Sequence, residues 1–322
     1  MANLDHFTDS TTNKQVVTDS LNAAFSLYPN FDQYGYNDDA MWWAQAAYYA
    51  YRAYGDTNLL NHAISCWQHI SNYVISAADA SSGTQPNKNF TIQGSCGDTM
   101  VGGVFWRPTI DDASANSIAT GLYVTLSAFL ADATGNSSYT DAAKLSASWI
   151  QTTNMNSDYL ALDTVSEQDC TRSPSTWLFT YNSGKFIEGL SVLSGLTGDS
   201  NWSNLMLNMV SASTRTTAWQ GSNGVITEGA DTTENNDGVG FKSVLIRGLD
   251  EVWVRNSGNG ALRTLIQSYT DVQLNALLDL ASTNSSGTAW YSPAWAGPAP
   301  TSLIPWGQLA ASDVLVSAVN VN

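Results

Sequence analysis

Residues 36–56 read YNDDAMWWAQAAYYAYRAYGD, and this stretch decides the fold class. Apolar and aromatic residues occupy nearly every side of a helix drawn through residues 38–54, which is typical of a helix buried inside a large protein. Gly55 suits the left-handed residue that ends a helix, and Asp56 suits the cap of a following one. The stretch therefore predicts a buried helix, a tight turn and a second helix.

The same turn occurs three times along the chain. Ala-Tyr-Gly-Asp at 53–56 is followed by Ala-Thr-Gly-Asn at 133–136 and by Leu-Thr-Gly-Asp at 196–199. Each turn separates a more apolar segment from a more amphipathic one, so each indicates a helical hairpin. Repeated hairpins with the apolar partner inside close into a ring. The sequence thus predicts an all-α fold, an (α/α)6 toroid of helical hairpins with long rim loops, as a single domain over residues 1–322.

The connections between these helices are as informative as the helices. Two long polar segments, 78–113 and 153–177, precede inner helices and should lie on one rim, where long loops are usually functional. Strand signals are weak, and only short hairpins around 103–106 and 225–227 are expected. The expected helices cover 11–28, 38–54, 59–75, 116–134, 139–150, 182–197, 202–210, 239–254, 262–282 and 301–316, of which 262–282 is expected to be kinked or split.

Composition and charge narrow the class of partner. The chain of 322 residues has 28 acidic and 12 basic side chains and a net charge of −16. Nucleic acid is a poor partner for such a chain, and anionic polysaccharides are disfavoured by the same repulsion. The longest apolar run is interrupted by Gln45 and Arg52, so no membrane span is predicted. No spacing among the three His and three Cys residues resembles a metal site, so no metal and no cofactor is predicted, and a monomer is expected.

Several features favour an extracellular protein. Charged residues make up only 12% of the chain, which is otherwise rich in Ser, Thr, Asn and Gly, and the first residues resemble the start of a mature secreted protein. Cys96 and Cys170 lie in polar loop sequence and are predicted to form a disulfide between two rim loops, whereas Cys66 is expected to be a buried free thiol. We therefore expect a secreted glycoprotein. Its acceptor sequons begin at Asn89, Asn136, Asn201 and Asn284.

Asp38 and Asp39 open the buried helix and are the candidate catalytic residues. An acidic pair at a helix start is most often a cap, yet Asn37 could already serve as the cap here. Burying a charged side chain is also costly, so carboxyls on a buried helix suggest a functional role. Adjacent helical residues point about 100° apart, so one carboxyl can address an anomeric carbon while the other reaches the glycosidic oxygen. Close carboxyls also oppose joint ionisation, which creates an acid beside a base. With Trp42 and Trp43 as flat surfaces for a pyranose, the pair predicts glycosidic chemistry.

Other polar and aromatic residues are expected to converge on the same rim. Trp106, Trp177 and Tyr181 are candidate stacking platforms, for which core packing is the alternative. Asn116 could contact a sugar hydroxyl because an amide both donates and accepts hydrogen bonds. A second acidic pair precedes the next inner helix, with a loop acid or a cap as its alternative role. This group also includes Asp111, Asp112, Asn182 and Lys242.

Six short motifs occur in a fixed order between residues 35 and 255. They are Tyr-Asn-Asp-Asp-Ala-Met-Trp-Trp-Ala-Gln-Ala from 36, Gly-Gly-Val-Phe-Trp from 102, Asn-Ser-Ile-Ala-Thr-Gly-Leu from 116, Phe-Thr-Tyr-Asn-Ser-Gly from 179, Gly-Val-Ile-Thr-Glu from 224 and Asp-Gly-Val-Gly-Phe-Lys from 237. In order and spacing they resemble glycoside hydrolase family 76, the endo-α-1,6-mannanases and their fungal cell-wall relatives. Two positions depart from the family pattern: its second Asn is Thr120 here, and its Gln is Ser183.

The resemblance implies an (α/α)6 catalytic domain and a retaining mechanism with Asp38 as nucleophile and Asp39 as general acid/base. Phe241 joins Lys242 as a candidate substrate contact. The implied substrate is a neutral polysaccharide, the α-1,6-mannose backbone of mannan, cleaved by hydrolysis within the chain. Alternatives left open are a cell-wall transglycosylase, a glycosidase or lyase of different specificity on the same fold, and a glycan-binding wall protein without activity. A lyase is disfavoured by the scarcity of His and of rim Lys and Arg.

Overall fold

The computed structural model describes residues 1–28, 33–283 and 288–322, and helix dominates these residues as the sequence predicts. Two three-residue strands in the described chain, β1 (Ser114–Asn116) and β2 (Thr164–Ser166), pair antiparallel with Ala115 opposite Val165. The helices are α1 (Ala2–Phe7), α2 (Lys14–Leu27), α3 (Asn37–Tyr54), α4 (Thr57–Ile70), α5 (Ala77–Ser82), α6 (Ser117–Thr134), α7 (Ser137–Thr153), α8 (Thr180–Thr197), α9 (Ser200–Ser213), α10 (Phe241–Arg255), α11 (Gly260–Asp279) and α12 (Pro305–Val321).

The three repeated turns end helices as predicted. Gly55, Gly135 and Gly198 have φ values of 71°, 70° and 63°, in the left-handed region where glycine has no steric penalty. Asp56 then caps α4 by accepting from a backbone N–H at 2.9 Å, and Asn136 caps α7 in the same way at 3.0 Å. The ends of α3, α6 and α8 therefore follow from local sequence.

Some elements differ from the sequence prediction. α11 runs without interruption, so the expected split in 262–282 is wrong, because no glycine or proline interrupts the interior of this helix. The alternative of a kink stays a prediction. α12 begins at Pro305 rather than near 301, since proline is favoured in the first helical turn. In place of an independent hairpin at 103–106, Phe105 forms a bridge with Ala115, next to the β1–β2 pair.

The chain folds as two compact units, of which the first comprises residues 1–156, 161–175 and 192–199. In this unit α3 packs against α1, α2, α4 and α6, and α6 packs against α7. α6 is buried continuously from Ser117 to Ala131, as expected of an inner helix. The predicted single domain over 1–322 stays a prediction.

The cysteines of the first unit have the predicted states. Cys96 and Cys170 form a disulfide across 74 residues of sequence. Cys66 is a buried free thiol whose Sγ donates to the carbonyl oxygen of Ala40 at 3.3 Å. Burial raises the pKa of this thiol, so the thiol is kept protonated and unreactive.

The second unit comprises residues 157–160, 176–191 and 200–322. In it α10 packs against α11 and α12, and α11 packs against α12. The backbones of α8 and α10 meet at glycines: a Cβ atom on Gly184 would lie 2.4 Å from the Cα of Leu245, and one on Gly248 would lie 2.1 Å from the carbonyl oxygen of Gly184. The two helices can approach this closely only because both positions lack a side chain.

Three of the four predicted glycosylation sites lie within the described residues. Asn89 and Asn201 are exposed, and Asn136 is exposed although its side chain also caps α7. Asn284 lies outside the described residues. Through the described ranges, no helix combines the length and the apolar character that crossing a membrane requires. Secretion and glycosylation stay predictions.

We expect Gly184→Ala to lower the free energy of unfolding by about 1–3 kcal/mol, since the new methyl group would force α8 and α10 apart. Gly195→Ala is the matched control in the same helix, because a Cβ atom there meets nothing within 4 Å. The control should be neutral or stabilise by up to about 1 kcal/mol, as alanine favours helix over glycine. Urea unfolding of both variants measures the difference, and equal stabilities would contradict the close approach.

Candidate active site

The first turn of α3 is tied to the loop that follows residue 102. The backbone N–H of Asn37 donates to the Trp106 carbonyl at 2.8 Å, and the Asn37 side chain donates to the Phe105 carbonyl at 2.8 Å. Asn37 therefore does not cap the helix, as the sequence suggested it could; it anchors the loop. The same loop is held from α6, because the hydroxyl of Thr120 accepts from the Val104 N–H at 3.1 Å. The departure from the family pattern at Thr120 thus has a structural role.

Asp38 is an enclosed carboxyl with a hydrogen bond to each of its two oxygens. Its side chain is only 9% exposed. One oxygen, Oδ2, accepts from the indole Nε1 of Trp106 at 2.9 Å, and the other, Oδ1, accepts from the backbone N–H of Asp39 at 2.9 Å. Burial, and then the neighbouring charge of Asp39, raise the pKa of Asp38 to about 7, although the bond from Trp106 opposes the shift. The carboxyl is therefore oriented and able to change protonation near neutral pH.

The other residues of the first two turns of α3 are more accessible. Asp39 and Trp42 are half-buried, and Trp43 is 38% exposed. Residues three and four apart share a helix face, so both indoles lie within one turn of the Asp39 position. The acidic pair thus has unequal surroundings, one carboxyl enclosed and one more open, which is how neighbouring carboxyls acquire different protonation states. The predicted catalytic and stacking roles stay predictions.

Trp106 is held on two sides. Its ring centroid lies 4.9 Å from that of Tyr36, and the Arg107 guanidinium lies 4.8 Å from the Trp106 ring and 4.1 Å from the Tyr36 ring. Arg107 also donates to the Tyr36 hydroxyl. These contacts fix the orientation of the indole, whose N–H donates a hydrogen bond to the Asp38 carboxyl. The stacking of Trp106 on a sugar ring stays a prediction.

Asn116 and the second acidic pair are engaged with the backbone. Asn116 is 3% exposed, and its Oδ1 caps α6 by accepting a backbone N–H at 3.0 Å. Asp112 accepts from the Ser114 N–H at 2.9 Å, and its carbonyl oxygen accepts from the Lys88 ammonium at 2.8 Å. Asp111 is exposed. Asp112 therefore has the alternative role of a loop acid, whereas the cap of α6 is Asn116 and not the acidic pair. The sugar contacts predicted for these residues stay predictions.

The candidates of the second unit form an aromatic cluster at the first turns of α8 and α10. The rings of Tyr181 and Phe241 stack at 4.0 Å with planes 13° apart. Phe179 meets both edge-on, at 6.0 and 5.7 Å, and Trp177 lies 6.1 Å from Phe179 and is 49% exposed. Asn182, the next residue of α8, is fully buried. The structure therefore joins two predicted platforms, Trp177 and Tyr181, with the predicted substrate contact Phe241 through Phe179, and the third predicted platform, Trp106, is not part of this cluster.

Glu228 is a residue whose role the sequence reasoning missed. Its carboxyl accepts from the backbone N–H of Thr180 at 2.9 Å and also from the Thr180 hydroxyl, so it caps the start of α8. Lys242 is fully buried, and its ammonium donates to the carbonyls of Glu228 and Gly229 at 3.1 Å and of Val239 at 2.9 Å. Both residues thus fix the segment before α10. Sequence spacing offered no signal for a cap supplied from 48 residues away.

The titration of this pair follows from its burial. Burial raises the pKa of Glu228 to about 7, against the bonds from Thr180 and the charge of Lys242, which lower it. Burial lowers the pKa of Lys242 to about 8, against the charges of Glu228 and Glu234. The opposing charge of each residue therefore helps to keep the other ionised in a poorly hydrated place.

A family model and several solved structures match this chain. A family model described as glycosyl hydrolase family 76 matches residues 1–311. No curated protein matches the sequence. Among similar solved structures is an inactive variant of the α-1,6-mannanase of Salegentibacter sp. HEL1_6 in complex with α-1,6-mannotriose, with 16% identity, a TM-score of 0.75 and coverage of 100% of this chain and 88% of that one.

Two further structures resemble the chain to the same degree. Dfg5 of Chaetomium thermophilum in complex with glucosamine has 17% identity and a TM-score of 0.74, with 99% of this chain and 78% of that one covered. The Lin0763 protein of Listeria innocua has 17% identity and a TM-score of 0.75, with 99% and 84% covered. At these identities the likeness shows the fold alone, and it confirms the predicted all-α (α/α)6 class.

Asp38→Asn should remove a specific part of the pH dependence of stability. Because the folded pKa of Asp38, about 7, exceeds its ordinary value of 3.8, the folded state retains a proton that the unfolded state has released between these pH values. The free energy of unfolding therefore falls as pH rises from 3.8 to 7, with a slope approaching about 1.4 kcal/mol per pH unit from this group. In chemical unfolding experiments between pH 3.8 and 7, the free energy of unfolding of Asp38→Asn should not show this decrease. Asp141→Asn, on the exposed side of α7, controls for the lost charge, and equal slopes in wild type and Asp38→Asn would contradict the assignment.

Glu228→Ala should lower the free energy of unfolding by about 1–3 kcal/mol, because it leaves the Thr180 N–H and hydroxyl without their acceptor. Glu228→Gln should cost less, since an amide oxygen can still accept. Glu234→Ala is the control on the exposed loop nearby. Thermal unfolding ranks the three variants, and a Glu228→Ala protein as stable as the control would rule out the capping role.

Proposed function

This chain belongs to glycosyl hydrolase family 76, and we propose that it is a secreted enzyme that hydrolyses α-1,6-mannosidic linkages within mannan chains, with retention of configuration. The observation that carries the proposal is the Asp38 carboxyl, enclosed under Trp106 and next to Asp39 at the start of α3. Retaining glycosidases use two carboxyls, one that attacks the anomeric carbon and one that serves first as acid and then as base.

In the first step Asp39 donates its proton to the glycosidic oxygen while a carboxylate oxygen of Asp38 attacks the anomeric carbon. The bond to the leaving sugar breaks, and a glycosyl-enzyme ester forms on Asp38. In the second step Asp39, now a carboxylate, takes a proton from water, whose oxygen displaces Asp38 and releases the sugar. Both residues return to their starting protonation, so atoms and charges balance.

The contacts of Asp38 prepare it for this role. The N–H groups of Trp106 and Asp39 each hold one carboxyl oxygen at 2.9 Å, which fixes the orientation of the group before substrate arrives. Two interacting carboxyls titrate as a pair, and with the pKa of Asp38 at about 7 the pair holds one proton close to neutral pH. Burial favours this proton on Asp38 in the free protein, whereas the first step requires it on Asp39. The mechanism therefore includes transfer of the proton from Asp38 to Asp39 before the attack.

A neutral α-mannan is the substrate that the remaining observations support. The net charge of −16 repels anionic glycans, whereas it is indifferent to a neutral polymer. In the aromatic cluster Tyr181 and Phe241 stack on each other, and Trp177, which is 49% exposed, offers a ring face that suits the C–H surface of a pyranose. A similar solved enzyme is an α-1,6-mannanase that binds α-1,6-mannotriose. Secretion would bring such an enzyme to its polymer.

The test is hydrolysis of α-1,6-mannan by the wild type and by Asp38→Ala and Asp39→Ala. Each variant should lose at least about 100-fold in kcat, because each removes one of the two groups that the mechanism needs. With an activated aryl α-mannoside and azide, Asp38→Ala should form the inverted glycosyl azide and Asp39→Ala the retained one. Asp141→Ala, on the exposed side of α7, should keep wild-type activity.

Other outcomes separate the alternatives. Full activity in both variants would exclude the pair. Cleavage of α-1,2-mannan, α-1,3-mannan or a glucan in place of the α-1,6 polymer would overturn the proposed linkage. Longer products formed when mannose oligomers are added would identify a transglycosylase. Binding of mannan by the wild type with no bond cleavage would identify a glycan-binding protein.

A further inference from the structure

A cavity of about 580 Å³ lies at the C-terminal end of α9, and none of its residues belongs to the predicted site. Its volume is in the range of small-molecule sites. All of its lining residues belong to the second unit. They are Asp158, Tyr159, Leu160, Asn208, Ser211, Ala212, Arg215, Thr216 and Thr217.

Tyr159 is the unusual member of this lining. Its φ is 59°, and in the part of the chain that the structure describes only Asp9 and Cys170 share a positive φ among residues other than glycine. The left-handed conformation costs a bulky residue about 1–3 kcal/mol, and residues strained in this way are enriched at active sites, ligand clamps and switch regions. The next residue, Leu160, is 2% exposed, yet the Tyr159 ring remains 43% exposed at the cavity. The anchored, strained backbone thus presents an aromatic ring to solvent instead of burying it.

The polar residues around the ring suit a neutral, hydroxyl-rich ligand. Arg215 offers a planar fork of donors, Asp158 offers acceptors, and Asn208 offers both. The lining includes only two aliphatic residues, Leu160 and Ala212, which is too few for an apolar ligand. The lining holds one carboxylate as well as one guanidinium, which on a chain of net charge −16 opposes an anion.

We propose that this cavity is a second glycan-binding site, in which Tyr159 stacks on a sugar ring and Arg215 and Asn208 bind its hydroxyls. The class of ligand, a neutral α-linked glycan, rests on the proposed function. A polysaccharide held here as well as at the catalytic residues gains affinity through effective concentration. An oligosaccharide that fills one site at a time gains nothing from the second.

The test compares three variants of Tyr159 and Arg215 in an Asp38→Asn background, which prevents cleavage during binding. Affinity electrophoresis is run with α-1,6-mannan, dextran, β-1,3-glucan and xylan. Tyr159→Gly should weaken binding of the preferred polymer by about tenfold, equivalent to about 1.4 kcal/mol, and Arg215→Ala should also weaken it. Tyr159→Phe, which keeps the ring, should bind within about twofold of its parent, a difference of about 0.4 kcal/mol.

Tyr159→Gly also separates binding from folding. Glycine is relaxed at a φ of 59°, so the Tm should be unchanged or higher while binding is lost. With Asp38 restored, kcat/KM on α-1,6-mannotetraose should stay within about twofold of wild type, equivalent to about 0.4 kcal/mol.

Two results overturn the inference: equal binding by Tyr159→Gly and its parent across all four polymers, or a loss of binding that accompanies a lower Tm. Hydrolysis of α-1,6-mannan without ring-dependent binding would overturn the second site and leave the proposed function standing. Ring-dependent binding of dextran, with no cleavage of mannan, would support the second site and overturn the proposed substrate.

Discussion

The hydrogen bond from the Trp106 indole to the Asp38 carboxyl is the constraint on which the first unit depends. A carboxyl that is 9% exposed needs a donor, and here the donor comes from a loop 68 residues away. The loop must therefore be held in place, and Asn37, Thr120 and Arg107 each contribute a contact to it. The need of the buried Asp38 carboxyl for a donor thus explains why polar side chains hold the loop that carries Trp106.

At the first turns of three helices, N–H groups are supplied with acceptors in different ways, whereas the first turn of α10 carries a donor, Lys242. A buried helix start has N–H groups that need acceptors, and it favours negative charge. Asn116 caps α6 from within its own sequence, whereas Glu228 caps α8 from a distant segment. Asp38 in α3 accepts from its neighbour and from an indole, and Lys242 in α10 donates to three carbonyls. Polar groups at these positions can therefore serve the structure or, as proposed for Asp38, catalysis, and residue type alone does not say which.

The sequence predicted most helices because their boundaries are set locally. Gly55, Gly135 and Gly198 adopt the left-handed conformation that their turns required, and the apolar character of 116–134 correctly indicated an inner helix. The errors arose where local signals were weak or misread. The six-residue α1 was missed because a helix of fewer than two turns shows no clear periodicity. α11 was wrongly expected to be split, although no glycine or proline interrupts its interior.

By itself the sequence determined the helical class, the disulfide between Cys96 and Cys170, and the acidic pair at the start of α3. The helical class and the acidic pair follow from periodicity, turn chemistry and adjacency, which act over a few residues. The disulfide was predicted from the polar loop sequence around two of the three cysteines, although it joins residues 74 apart. Only the tertiary structure decided that Trp106 donates to Asp38, that Glu228 caps α8 and that the Lys242 ammonium points at carbonyls. It also decided that Tyr159 stands strained and exposed beside a cavity. Such facts depend on which distant segments meet, and hydrogen-bond partners and burial are set by that meeting, not by neighbours in the chain.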